Sequence, residues 1–181
     1  MATKYSGKTR IESDLLGEME VPVEALYGVQ TLRGIENFPI SCFHLSDYPL
    51  FINGLAMTKL GAAQANHQLG LLTDAQFDGI SKACLEILEG KHHDQFPCDM
   101  IQGGAGTTTN MNANEVIANR ALQIMGHQPG EYQYCSPNDH VNCSQSTNDA
   151  YPCGIHLGLY ATHQVFMKHY DALIESFDKK A

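Results

Sequence analysis

Apolar residues recur every three or four positions along most of this chain, and that spacing predicts amphipathic α-helices rather than strands. One such pattern covers residues 24–36 and is ended by Phe38-Pro39. A second covers residues 50–69, with Gly70 placed as a terminator. Both segments are interpreted as scaffold, because their apolar stripes are typical of helices that pack onto a core.

Further helices are predicted downstream. Thr73 followed by Gln76 makes a capping box, which opens a helix that Gly90 closes. A fourth helix is expected over about 111–125, and a longer one over about 152–177. Little else in the chain could cover the apolar stripe of that last helix, so the pattern indicates a helix that belongs to a bundle.

Composition limits the partners that such a helical chain can have. The 181 residues carry a formal net charge of −9, with 20 acidic against 11 basic residues. Nucleic acid and anionic membranes both require clustered Lys and Arg, so neither is expected as a partner. No apolar run approaches the roughly 20 residues of a membrane span, and the first residues lack the apolar core of a signal peptide. We therefore expect a cytoplasmic protein that binds a small molecule or another protein.

The six cysteines raise the question of a disulfide framework or a metal site. Without an export signal the thiols are expected to stay reduced. The densest group of potential ligands lacks the C-x-x-C and H-x-x-x-H spacings of common zinc sites; its members are Cys84, His92, His93, Asp94 and Cys98. Buried thiols and solvated histidines are favoured there over a metal site. No metal and no other cofactor is predicted, and activation by a divalent metal stays open.

Two polar segments lie between the predicted helices. QGGAGTTTN, residues 102–110, precedes the fourth helix, where free backbone N–H groups and the helix dipole attract anions. It is neither a Walker loop nor a dinucleotide fingerprint, and a plain capped glycine loop is an equal alternative. SPNDHVNCSQSTNDAYP, residues 136–152, concentrates neutral hydroxyl and amide groups and contains no Lys or Arg. Both segments are candidates for binding through uncharged hydrogen-bond donors.

Three blocks of the chain, taken in order, resemble the aspartase/class II fumarase family. They are RIESDLLGEMEVPVEALYGVQTLRGIENFPIS, GAGTTTNMNANEVIANRAL and SPNDHVNCSQSTNDAYP, which together cover most of residues 10–155. Within the family, YGVQTLRGIENF is more similar to the aspartate ammonia-lyases than to the fumarases. The resemblance implies a mainly α fold: an amino-terminal helical domain over residues 1–145, then the first helix of a central helical bundle over residues 146–181.

The resemblance also implies a reaction. Family members remove a proton beside one carboxylate of a C4 dicarboxylate and expel ammonia or water from the neighbouring carbon. Because that proton is weakly acidic, the enzyme must stabilise a doubly charged, enolate-like carboxylate as it forms. Preorganised neutral donors suit this task, whereas Arg or Lys at every position would bind substrate and intermediate alike. The expected reaction is the reversible deamination of L-aspartate to fumarate and ammonia.

The substrate-binding residues implied by the resemblance lie in the two polar segments. Thr107, Ser146 and Thr147 are expected to donate to the reacting carboxylate, and Asn148 to contact the leaving ammonium. These residue types also cap helices and build turns, and Asp149 is expected to orient a loop rather than to perform chemistry.

A second anion site is implied by another part of the same block. Asn138 and Asp139, with His140 beside them, match residues that form such a site in fumarases, near the entrance to the active site. Ser136 stands where many relatives have His. The resemblance makes Asn138, Asp139 and His140 candidates for a second anion site, and Ser136 is the position at which this chain departs from that pattern.

Part of the family pattern has no match before Ala181, namely the Gly-Arg-Thr-His block and the loop that carries the serine base. No catalytic residue is therefore expected in this chain. It is interpreted as the amino-terminal part of a lyase, inactive alone, whose full-length form is a homotetramer with active sites shared by three subunits. A class II fumarase fragment and a non-catalytic helical binding or assembly module stay open as alternatives.

Overall fold

Over residues 4–181, which the computed structural model describes, a short antiparallel hairpin precedes five α-helices. The strands are β1 (Thr9–Asp14) and β2 (Gly17–Pro22), and the helices are α1 (Val29–Asn37), α2 (Pro49–Gln68), α3 (Asp74–Leu88), α4 (Thr107–Ile124) and α5 (Thr147–Asp178). Two 3₁₀ turns, Leu45–Asp47 and His93–Gln95, and a short π-helix, Pro137–Val141, connect them. The mainly α fold expected from the sequence is confirmed.

Two of the predicted helices lie where the sequence placed them. The pattern over residues 50–69 corresponds to α2, and the capping box at Thr73 opens α3. The Thr73 hydroxyl accepts the Gln76 backbone N–H at 3.3 Å, and the Gln76 side chain accepts the Thr73 N–H at 3.0 Å. Local sequence is sufficient to predict both helices, because the apolar spacing and the capping signals indicate the same boundaries.

The predicted start of the first helix was wrong. Helix α1 begins at Val29, not at Glu24, because the backbone before it is held in another conformation. The Arg10 guanidinium donates to the carbonyl oxygens of Pro22, Ala25 and Tyr27 at 2.7–2.9 Å. Those carbonyl groups point at a side chain from β1 instead of at later N–H groups, so no helical ladder can form there.

Helices α4 and α5 begin earlier than predicted, and both differences affect the polar segments. Helix α4 starts at Thr107 rather than near residue 111, and α5 starts at Thr147 and continues through Pro152. Pro152 has no N–H, so the Asn148 carbonyl lacks its usual helical donor. The threonines of both segments, together with Asn110 and Asn148, therefore lie in the first turns of α4 and α5 rather than in the loops before them.

Helix α5 crosses α2 at glycines that let the two backbones touch. A β-carbon on Gly54 would fall on the Gly154 carbonyl, and one on Gly158 would lie 2.8 Å from the Phe51 Cα. Beyond this crossing the apolar side chains of α5 are exposed: Leu159, Tyr160, Val165, Phe166, Tyr170, Leu173, Ile174 and Phe177. Of the helices described, none is long and apolar enough to cross a membrane.

Candidate functional site

The two polar segments meet at one cavity of about 640 Å³. One wall is the glycine loop before α4, represented by Gln102 and residues 104–106. The facing wall is the start of α5, with Asn148, Tyr151 and Pro152. Two helix N-termini therefore flank the same space, and the positive ends of their dipoles favour an anionic ligand.

The glycine loop has a fixed shape. Gly104 and Gly106 have φ angles of +73° and +94°, in the left-handed region that glycine adopts without strain. The Gln102 amide reaches forward to α4, where its Oε1 accepts the Thr109 backbone N–H at 2.9 Å and its Nε2 donates to the Thr109 hydroxyl. The buried Gly106 lies against the Tyr151 ring. The loop is thus attached to both helices that flank the cavity.

The start of α5 is closed by a capping box. The Ser146 hydroxyl accepts the Asn148 backbone N–H at 3.1 Å, and the Ser146 N–H donates to the Asp149 carboxylate at 3.0 Å. The Ser146 hydroxyl keeps its own proton free to donate, because capping uses only its lone pairs. Asp149 therefore contacts the backbone of Ser146, the cap residue of its own helix.

The predicted substrate-binding residues lie at these two helix starts, but only one of them lines the cavity. Asn148 does so. Thr107 is exposed at the first position of α4, and Ser146 is exposed as the cap of α5. The Thr147 hydroxyl turns towards α4, where the Asn110 amide donates to it at 3.4 Å.

A buried polar network behind the loops was missed by the sequence analysis. Lys59 of α2 is fully buried, and its Nζ donates to Asn142 Oδ1 at 2.9 Å and to Gln145 Oε1 at 3.0 Å. Burial lowers the pKa of the Lys59 ammonium to about 7. Asn110 and Asn114 of α4 donate to the same Asn142 oxygen at 3.1 and 3.2 Å. The signal in the sequence was a lysine on the apolar stripe of α2, three residues after Ala56 and four before Ala63.

The residues of the candidate second anion site lie in and beside the π-helix. The Ser136 hydroxyl accepts the Asp139 backbone N–H and donates to its carboxylate, and His140 Nδ1 accepts the Ser136 N–H at 2.7 Å. Asn138 lines a different cavity of about 550 Å³, beside Leu15 and Leu16 of the hairpin. Asp139 and His140 do not line that cavity: the Asp139 carboxylate is bonded to Ser136 within its own turn, and His140 Nε2 lies 3.0 Å from Gln76 Nε2 of α3.

The possible metal ligands near α3 have separate partners. His92 Nε2 lies 2.8 Å from the Glu86 carboxylate, and His93 Nε2 lies 2.8 Å from the Ile87 carbonyl. Cys84 and Cys98 are buried, where loss of hydration raises the pKa of each thiol to about 12. No group of three or more His, Cys, Asp or Glu side chains within residues 4–181 could hold a metal ion.

Comparison with known proteins finds lyases by family model and by sequence similarity. A family model described as "Lyase" matches residues 17–181. An aspartate ammonia-lyase from Pseudomonas canavaninivorans is 56% identical over 171 residues, which are 94% of this chain and 36% of that protein. One from Escherichia coli K12 is 52% identical over 177 residues, 97% of this chain and 37% of that protein. The chain thus spans little more than a third of the length of these relatives.

Solved structures show the same likeness. The fumarate lyase:delta crystallin from Brucella melitensis bound to cobalt superposes with a TM-score of 0.93 at 46% identity, covering 95% of this chain and 37% of that one. A recombinant class II fumarase from Schistosoma mansoni gives a TM-score of 0.75 at 41% identity, covering 83% of this chain and 31% of that one. The helical arrangement around the cavity is therefore shared with proteins of this kind.

Proposed function

This chain belongs to the lyase family whose model matches residues 17–181, and from that premise we propose that it forms one wall of a site for the reversible deamination of L-aspartate to fumarate and ammonia. The observation that carries the proposal is the cavity in which the glycine loop faces Asn148 between two helix N-termini. The similarity to two aspartate ammonia-lyases supports the same reaction.

The proposed work of this chain is binding and charge stabilisation. Thr107, Ser146 and Thr147 donate to the carboxylate that accumulates negative charge when the neighbouring carbon loses its proton. Neutral donors fixed at helix starts favour the doubly charged intermediate over the substrate, because they cost no reorganisation as the charge develops. Loss of one such donor typically slows a reaction by about 10²–10³-fold.

Asn148 is proposed to contact the departing ammonium. Its amide oxygen is an acceptor on the cavity wall, and Pro152 on the next turn leaves the Asn148 carbonyl without its helical donor. The Asn148 side-chain oxygen and the Asn148 backbone carbonyl are thus two acceptors, and no basic side chain among the described residues lines this wall. Both features suit a leaving group that departs with positive charge. Proton abstraction is assigned to residues outside this chain, since none of the four proposed residues is a base near neutral pH.

The proposal extends to the assembly of the protein and to its location in the cell. We propose a homotetramer, because the second half of α5 exposes apolar side chains along its length, in contrast to the first half, which is packed on α2. We propose the cytoplasm as its location and amino-acid metabolism as its context. The six cysteines are all unpaired, which fits a reducing compartment.

A chimera tests the proposed reaction. Residues 1–181 replace the matching segment of the Escherichia coli relative, and fumarate is followed by its ultraviolet absorbance with L-aspartate or L-malate as substrate. We expect turnover of L-aspartate and none of L-malate. Preference for L-malate would favour fumarase chemistry, and a folded, assembled chimera that is inactive on both would contradict the proposal. The 181-residue chain alone is expected to show no sustained turnover.

A matched pair of variants in the chimera tests the site. Thr147→Val removes a proposed donor at the start of α5. Thr162→Val removes the same hydroxyl farther along that helix, where it donates to the Gly158 carbonyl at 2.8 Å. We expect kcat/KM to fall about 10²-fold in the first variant and to stay near the parent value in the second. Equal effects would remove Thr147 from the proposed site.

A further inference from the structure

Lys59 is a cation without an anionic partner in the core of the fold. Its side chain is fully buried on the apolar stripe of α2. Among the residues described, no carboxylate lies within 4.0 Å of its Nζ. Both of its acceptors, Asn142 Oδ1 and Gln145 Oε1, are neutral amides. Buried charges are normally paired, so an unpaired lysine here requires a reason beyond packing.

The two acceptors of Lys59 determine the shape of the loop before α5. Gln145 returns its own amide protons to the Val141 and Cys143 carbonyls at 3.0 and 3.1 Å. Asn142 donates to the Gln145 carbonyl at 3.1 Å. The ammonium therefore stabilises the turn over residues 141–145, which immediately precedes α5.

The same network reaches a proposed substrate ligand. Asn142 Oδ1 accepts from Asn110 at 3.1 Å, and the Asn110 amide is also 3.4 Å from the Thr147 hydroxyl. Lys59 is thus connected to Thr147 through the half-buried amide of Asn142 and the buried amide of Asn110. The Oδ1 atoms of Asn110 and Asn114, both buried in this cluster, have no hydrogen-bond partner.

We infer, on the premise of the proposed function, that Lys59 is a positioning residue for the carboxylate site. Its ammonium holds Asn142 and Gln145 so that the start of α5 faces the glycine loop. Its unpaired positive charge adds to the two helix dipoles and favours a dicarboxylate. Loss of that charge weakens the charge-assisted hydrogen bonds to Asn142 and Gln145 and weakens dicarboxylate binding.

The surroundings of Lys59 make its charge responsive near neutral pH. Burial lowers the pKa of the ammonium to about 7. The titratable groups whose charges act on it are Cys84 of α3 and Asp149 of α5, while α4 and the loop contribute amides. Cys84 is neutral at this pH, because burial raises its pKa to about 12. Since the cationic form favours a bound carboxylate, a bound carboxylate must in turn favour the cationic form.

The test uses the 181-residue chain, labelled with ¹⁵N, and fumarate as the probe. NMR spectra are recorded between pH 6 and 8.5, with and without fumarate, for the wild type, Lys59→Met and Lys59→Arg. Lys82→Met is the control, because Lys82 is exposed and pairs with Asp78 at 2.7 Å on the surface of α3. We expect wild-type affinity for fumarate to fall about five- to tenfold across this range. Lys59→Met should be weak at every pH, and Lys59→Arg should bind without pH dependence.

The backbone amide signals of residues 145–148 give a readout that does not depend on fumarate. We expect them to shift with pH together with the Lys59 side chain in the wild type and in Lys82→Met, and to lose that transition in Lys59→Met. Signals that do not follow Lys59 would overturn the inference even if fumarate binds. A chain whose loop follows Lys59 but which binds no fumarate would overturn the claim that Lys59 assists dicarboxylate binding and leave only its loop-positioning part, while the chimera decides the proposed function separately. If Lys59→Met does not fold, the wild-type titration and Lys59→Arg still decide the question.

Discussion

The ring of Tyr151 lies directly against the α-carbon of Gly106, so closely that a β-carbon at position 106 would overlap the ring. Tyr151 belongs to α5, and its ring also packs edge-on against Phe51 of α2, with 5.9 Å between the ring centroids. This one aromatic side chain therefore connects the glycine loop, α5 and α2. The width of the candidate site depends on that contact, since Gly106 and Tyr151 both line the cavity.

Substitution of Gly106 by alanine should both strain the loop and displace Tyr151. Gly106→Ala and Gly104→Ala each place a β-carbon at a left-handed residue, with φ angles of +94° and +73°, at a cost of about 1–2 kcal/mol. Only position 106 also clashes, since a β-carbon at position 104 meets nothing within 4 Å. We expect Gly106→Ala to lower the free energy of unfolding by about 1–3 kcal/mol more than Gly104→Ala in urea titrations. Equal losses would show that the contact with Tyr151 adjusts freely.

The crossing of α2 and α5 gives a second matched pair of glycines on one helix. A β-carbon on Gly54 would overlap the Gly154 carbonyl, whereas one on Gly61 meets nothing within 4 Å. Gly61→Ala should raise the free energy of unfolding by about 0.5–1 kcal/mol, because alanine favours the helix. Gly54→Ala should lower it by about 2 kcal/mol or more, because two backbones must separate. Thermal unfolding of both variants checks the opposite signs.

The sequence predicts the elements whose causes are local. Helices α2 and α3 follow from apolar spacing and a capping box, both contained within the segment itself. The hairpin and the start of α1 could not be predicted in this way. Each strand buries a single residue, Glu12 and Val21, so no alternation marks the hairpin. The start of α1 is set by Arg10 and Glu115, which are distant in sequence.

The candidate site also combines residues that could be predicted from the sequence with residues that could not. Its polar residues were expected in the two segments where the structure has them, because helix starts and threonine- or asparagine-rich segments coincide. The role of Lys59 was not predicted, because a lysine within an apolar stripe acquires its partners only after folding, when α4 and the loop before α5 enclose it. A network that joins three elements has no periodic signature in any one of them.

Glu115 should be essential to the start of α1. Its carboxylate accepts the backbone N–H groups of Gly28, Gln30 and Thr31 at 2.8–3.0 Å and the Thr31 hydroxyl at 2.6 Å. In Glu115→Gln one oxygen becomes an NH₂ group that faces N–H donors, so we expect a loss of about 1–3 kcal/mol in the free energy of unfolding. Glu89→Gln is the control, since Glu89 is exposed and pairs with Lys91. A loss no larger than the control's would mean that α1 is capped by other groups.

The last prediction concerns stability against pH. The ammonium of Lys59 has a pKa of about 7 in the fold, below its ordinary 10.5, so the unfolded chain binds more protons between these values. The free energy of unfolding should therefore rise as pH increases from about 7, with a slope of at most about 1.4 kcal/mol per pH unit.

Buried thiols oppose this trend at higher pH. Burial raises the pKa of Cys84, Cys98 and Cys135 from 9.0 to about 12, so their contribution to stability is lost as pH rises above 9. Urea titrations at pH 7–8.5 avoid that range. The wild type and Lys82→Met should gain stability over this interval, and Lys59→Met should not, because methionine carries no charge to remove. A Lys59→Met profile parallel to that of the wild type would mean that the buried ammonium is not the group that loses its proton, and that another group produces the slope.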